Sequence, residues 1–166
     1  MPQNPGSSPF RLLYAFAAAA SLLLIALLCI PVLDGRHSRQ YANEASAVNK
    51  LRAITMLEKK FAAAHPEKGF ACELDLLRPA QNEQNPVDYD PMRFLAIGTS
   101  AGYKFVLGNC RTNANGVVVH YEATALPIER GRTGFHAFCT DDSASLWYDA
   151  EGSVTKCLAS RRVLHK

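Results

Sequence analysis

Hydrophobic and polar residues alternate along this chain in two different periods, and the change of period divides it. Residues 12–33, LLYAFAAAASLLLIALLCIPVL, hold no charged side chain over 22 positions. As a helix they would reach roughly 33 Å, against roughly 30 Å of bilayer hydrocarbon. After DGRHSRQ the pattern becomes amphipathic. Tyr41, Ala45, Val48, Leu51, Ile54, Leu57 and Phe61 recur every three or four residues, while Glu44, Lys50, Arg52, Lys59 and Lys60 fall largely on the other side. The pattern predicts one helix over 10–64, spanning a membrane over 10–33 and amphipathic over 34–64. Pro31 removes a backbone bond and Asp34-Gly35 weakens the helix further, so a break there is an alternative. Residues 1–9, rich in proline and serine, read as a flexible tail.

Beyond His65-Pro66, which stops the helix, the period falls to two. FACELDLLRP (70–79) reads as a helical turn, and 79–91 as a polar loop punctuated by proline. YKFVLG (103–108), VVVHYEATAL (117–126), FHAFCTD (135–141), SLWYD (145–149) and SVTKCLA (153–159) read as strands, with Asn115-Gly116 as a hairpin turn. Closely spaced strands favour an antiparallel sheet, whose apolar face would cover the amphipathic helix. The fold class is therefore α+β, with a globular domain over 65–160 and a basic, solvated tail over 161–166.

Composition narrows the function. The net charge of +3 is scattered and argues against nucleic acid. The chain shows no HExxH, GxSxG or phosphate-cradling glycine loop, and no cysteine–histidine pair has zinc spacing, so neither an enzyme nor a cofactor is expected. His37, His65, His120, His136 and His165 sit in no catalytic motif. The apolar run is longer than a signal-peptide core and lacks a small-residue cleavage site, so it reads as an uncleaved anchor. Arg11 on one side and Arg36 and Arg39 on the other leave its orientation undecided. Cys29 lies within the span. Cys72, Cys110, Cys139 and Cys157 form an even set in a small domain, which favours disulfides and an extracytoplasmic location.

The stretch Ile30 to Ile54, with Pro31, Leu33 and the NEASAV segment, resembles the helix of type IV pilins and type II secretion pseudopilins. FAC (70–72), GYKFVL (102–107), YEATALP (121–127) and TGFHAFCTDDSASLWYDAEG (133–152) also resemble bacterial pilin-like sequences. The resemblance implies a lollipop-shaped subunit: a long helix, its first half in membrane or filament core, carrying a globular antiparallel sheet. It implies a structural role in a pilus or secretion apparatus, a single-pass inner-membrane location with the C-terminal domain in the periplasm, and other pilin-like subunits or assembly components as partners. Family prepilins are cut between a glycine and a phenylalanine and carry a glutamate five residues into the mature chain. Here Phe10 holds the mature start, but Pro9 precedes it, Tyr14 stands at the glutamate position, and Arg11 adds a charge. These departures favour a second reading, a tethered periplasmic protein that binds or regulates another envelope component without assembling. A secreted domain behind a signal peptide is a third.

Some pseudopilins bind calcium near the last strands, which makes Asp141, Asp142, Asp149 and Glu151 calcium candidates. Their spacing matches no EF-hand, and acidic turn residues more often only shape turns. Asp88 and Asp90 add loop carboxylates. Cys139 and Cys157 flank the last two expected strands, so their pairing is geometrically easy. Cys72 with Cys110 would then tie the post-helix turn to the first strand, one of three possible arrangements.

Overall fold

The structure is a computed structural model that describes residues 9–78 and 92–164; the side chains of residues 9–13, 15 and 26–34 lie outside the described set. The expected tail over 1–8, the loop over 79–91 with Asp88 and Asp90, and the side chain of Cys29 therefore fall outside it. The chain divides into two compact units, Met1–Ser38 and Arg39–Lys166. Helix α1 (Pro9–Ala64) is assigned without interruption through Pro31 and Gly35. In the first unit the described apolar side chains, Tyr14, Phe16 and Leu22 to Ile25 among them, are all exposed. Among the described residues no helix is long and apolar enough to cross a membrane; the side chains that would complete the expected span, 26–33, are outside them.

The second unit is a mixed helix-and-sheet fold. After α1 come a 3-10 turn (Leu74–Leu77), α2 (Arg93–Ile97), β1 (Thr99–Ser100), β2 (Tyr103–Thr112), β3 (Val118–Pro127), β4 (Ala137–Asp141), β5 (Leu146–Asp149) and α3 (Val154–Ser160). The sheet has five strands in the order β1-β2-β3-β4-β5, each antiparallel to its neighbour. The expected antiparallel sheet is thus present, and its chain order is a simple meander. Between β2 and β3 the Asn113 side chain accepts from the Asn115 and Val117 amides at 2.9 and 3.1 Å, and Gly116 takes φ +80°, so the Asn-Gly turn closes as its composition requires.

Alternation decides which side chains meet α1. Tyr103, Phe105 and Leu107 of β2, Tyr121, Ala123 and Ala125 of β3, and Phe138 of β4 share the inner face. Ala47, Val48, Leu51 and Ile54 of α1 are buried against them, with Leu57 and Phe61 partly buried at the edge. The compact unit therefore starts at Arg39, not at residue 65, because this half of α1 supplies one wall of the core. The upper end of the expected stripe is displaced. Tyr41 and Ala45 are exposed, and Gln40 and Ala47 are buried instead. There the helix faces a loop backbone, which needs donors and acceptors more than methyl groups.

Two further expectations are corrected. Where a strand was expected over 153–159, the chain forms α3 (Val154–Ser160). Ser153 caps it by accepting from the Lys156 amide at 3.3 Å, and Arg161 ends it in the left-handed region. A single buried Cys157 holds it down, so no alternating apolar face was needed to form it. The 161–166 segment is not a free tail over its described part. Val163 bridges Trp147, the Tyr148 amide donates to Arg162 O at 3.0 Å, and the Leu164 amide donates to Leu146 O at 3.0 Å. Arg161 and Arg162 lie over the Trp147 and Tyr148 rings, each at 4.9 Å. α2 and β1 were not anticipated; both are too short to show a period.

A carboxylate interrupts the apolar stripe of α1. Glu58 is fully buried, and its Oε2 accepts from the Ala71 amide at 2.8 Å while Oε1 has no partner. Desolvation raises its pKa to about 7 despite that hydrogen bond. The turn that receives it is tight: Gly69 sits at φ +78°, where a Cβ would fall 2.0 Å from Val118 O. Between pH 4.5 and about 7 the folded chain keeps a proton on Glu58 that the unfolded chain has released, so stability falls as pH rises through that window and is level above it. The full effect is on the order of 3 kcal/mol.

Two outcomes follow for the full chain in detergent, with the buried Trp147 reporting denaturant unfolding. Leu51→Ala should cost on the order of 2–5 kcal/mol. Glu58→Gln keeps the acceptor for Ala71 but cannot ionise, so it should match the wild type near pH 4.5 and exceed its stability at pH 8. Parallel pH profiles would show that Glu58 does not titrate in this window.

Candidate functional site

The described residues that carry chemistry gather on both sides of the sheet. On the inner side, α1 meets the β3–β4 loop through a row of polar side chains. Gln40 Nε2 donates to Gly131 O at 2.5 Å and Asn43 Nδ2 to Thr133 O at 2.9 Å. Glu44 Oε1 accepts from the Phe135 and His136 amides at 2.7 and 3.2 Å, and its Oε2 faces His136 Nδ1 at 2.9 Å. Glu44 is thus no solvated residue of a polar face, as the helical pattern implied. Tyr103 completes the arrangement by donating from its hydroxyl to His136 O at 2.9 Å, across Gly134, where a Cβ would come within 2.1 Å of that hydroxyl. Burial, and then the Glu44 charge, push the Tyr103 phenol above its ordinary range. The NEASAV and TGFHAF stretches, distant in sequence, are therefore the two halves of one clamp.

Beside the clamp lies an open recess of about 260 Å³, lined by Tyr41, Val48, His136, Phe138 and Tyr148 among others. A second recess of about 450 Å³ runs along α1 between Arg52, Met56, Lys59 and Lys60. Tyr121 faces Thr55 from the core, and burial pushes its hydroxyl up to about 12.

The four domain cysteines are paired as Cys72–Cys110 and Cys139–Cys157, both with Cα atoms 6.1 Å apart. The first ties the chain after α1 to β2. The second ties β4 to α3 across the outer face, where Cys139, Trp147 and Cys157 form a small second core. Every residue of β4 is consequently buried, since both of its faces are covered.

The calcium candidates separate into two groups. Asp149 Oδ2 accepts from the Glu151 and Ser153 amides at 3.1 and 2.7 Å, and Glu151 pairs with Lys156. These two shape the β5–α3 turn. Asp141 and Asp142 instead meet His120 on the outer face, each offering a ligand atom within 4.8 Å of the others. His120 Nδ1 bonds the Asp142 Oδ1 atom, and His120 Nε2 stands 3.8 Å from Glu122 Oε1. Asp141 accepts from the Ser143 amide at 2.9 Å and from Arg161 at 3.2 Å. His120 and Glu122 were not singled out together by the sequence. The signal that could have found them is their i, i+2 spacing in a strand, which places both on one face.

Comparison of the chain with family models, with curated proteins and with solved structures gives no match.

The clamp generates a test. Glu44→Ala leaves two backbone amides and the His136 ring without their acceptor, and should cost on the order of 2–3 kcal/mol in denaturant unfolding. Glu44→Gln retains an acceptor for the amides and should cost less than the alanine variant. Equal and negligible effects would remove the clamp from the account.

Proposed function

We propose that this chain is a membrane-anchored, pilin-like or pseudopilin-like structural subunit of a type IV pilus or type II secretion apparatus, working through helix packing and sheet surface and not through catalysis. The observation that carries the proposal is the contrast along α1. Tyr14, Phe16 and Leu22 to Ile25 are exposed, whereas Leu51 and Ile54 are fully buried against a disulfide-bonded antiparallel sheet. A run of exposed large apolar side chains is unfavourable in water and calls for lipid or other apolar helices as its surroundings. In this reading the first half of α1 lies in the inner membrane with the disulfide-bonded domain in the periplasm, and the partners are other pilin-like subunits or assembly components. The exposed recesses on α1 are available to such contacts.

A second reading, a permanently tethered protein that does not assemble, is favoured by Pro9 and Tyr14. In the resembled family, cleavage frees an amine that is paired by the early glutamate of a neighbouring subunit. An unpaired charge in an apolar assembly is costly. Here both partners of that pair are replaced together, which leaves the span without a stranded charge. N-terminal sequencing of the native protein, with its partition between sheared filaments and membranes, tests both readings. We expect a membrane fraction whose chain retains the residues before Phe10. A chain beginning at Phe10 in the filament fraction would establish ordinary processing and assembly; a chain recovered wholly outside membranes and filaments would overturn the anchored reading altogether.

A further inference from the structure

The outer face of the sheet holds a buried imidazole nitrogen that no hydrogen bond satisfies. His120 lies on β3 and is 8% exposed, and its Nε2 atom is buried without a hydrogen bond. Its other nitrogen is held: Nδ1 bonds the Asp142 carboxylate, which can only accept. That contact places the ring hydrogen on Nδ1. With its one hydrogen there, the imidazole leaves a lone pair at Nε2 whose direction the Asp142 contact fixes. A carboxylate behind one nitrogen and a free lone pair at the other is the orientation that metal-ligating histidines adopt.

One carboxylate oxygen stands close to that nitrogen, and a second carboxylate lies across from it on the neighbouring strand. Glu122, two residues along β3 on the same face, brings Oε1 to 3.8 Å from Nε2. Two ligands on one tetrahedral zinc ion are roughly 3.4 Å apart, so a shift of a few tenths of an ångström in the Glu122 side chain suffices. Glu122 is the cross-strand partner of Asp141. Asp141 holds the Ser143 amide and Arg161, one with each oxygen, and each of those oxygens retains a second lone pair. Three carboxylates therefore face one guanidinium around His120, an excess of negative charge that a divalent cation would offset.

We propose that His120 Nε2, Glu122 and Asp141 form a binding site for a divalent transition metal of the zinc type, with Asp142 orienting the imidazole and water completing the coordination. The imidazole donor sets the class. Calcium takes six to eight oxygen ligands, and only carboxylates and carbonyls suit it, whereas nitrogen with carboxylate oxygen suits zinc and its neighbours. The residues differ from the acidic run of the β5–α3 turn, whose Asp149 and Glu151 are committed to backbone amides and Lys156. The metal would link β3 to β4 next to the point where Arg161 leaves α3, and so reinforce the face already closed by Cys139–Cys157.

The test uses the full chain in detergent, disulfides intact, with any affinity tag removed and with Cys29→Ala in every version so that no free thiol competes. Zinc is titrated calorimetrically, and cobalt is followed by its visible absorption, which reports the coordination geometry. The expected result is one equivalent of zinc, bound at least tenfold more weakly by His120→Gln and by Glu122→Gln, and unchanged in His65→Gln. Cobalt should give the absorption of a four- or five-coordinate ion in the parent and lose it in His120→Gln. Glu122→Gln, at a more exposed position, guards against a folding defect at His120, and unchanged Trp147 fluorescence confirms the fold of each variant. Absence of a stoichiometric zinc site in the parent, equal affinity in His120→Gln, or calcium binding as tight as zinc would each overturn the proposal.

Discussion

The docking of one helical face on one sheet face is the constraint from which the rest of the second unit follows. Val48, Leu51 and Ile54 present a stripe that only an apolar surface can cover, and the inner face of β2, β3 and β4 provides it through Tyr103, Phe105, Leu107, Tyr121 and Ala123. Ala123 and Ala125 keep the middle of β3 small on this face, and the aromatic rings supply most of its bulk. Since α1 precedes every strand, the chain must turn back directly after Ala64. That return is fastened three times: by the Glu58–Ala71 hydrogen bond, by the Gly69–Val118 bridge, and by Cys72–Cys110.

Covering only one face would leave the sheet half open. α3 and Arg161 close part of the other side with few apolar residues, which explains why a covalent bond and the Arg161–Trp147 contact appear there. A seven-residue helix cannot hold itself in place by propensity. The disulfide and the Ser153 cap substitute for the missing hydrophobic stripe, and a disulfide of this kind contributes on the order of 2–4 kcal/mol.

The strands of β2, β3, β4 and β5 were legible because a period of two and an Asn-Gly turn are local signals. The buried half of α1 was legible through its i, i+3, i+4 spacing, and the Cys139–Cys157 pair through the proximity of its neighbours. α3 was misread because SVTKCLA carries β-branched residues, while its helix depends on a cap and a crosslink that propensity does not weigh. Tyr41 and Glu44 were placed on the wrong faces for one reason: the first turns of the docked helix meet a loop backbone, and hydrogen-bonding demand there overrides hydrophobic periodicity. Glu58 escaped notice because a single carboxylate in an apolar stripe looks like drift in the pattern. The His120 cluster joins residues from two strands, a turn and a helix end, and no linear motif spans such a set.

Native-state amide hydrogen exchange on the full chain, in detergent, measures the central claim most directly. If α1 is a wall of the core, the amides of Leu51 to Leu57 should exchange only through the same global opening that exposes Tyr121 to Ala125 of β3, with matching free energies and matching sensitivity to denaturant. Helix amides that exchange far faster than those of β3, through a separate local opening, would contradict it.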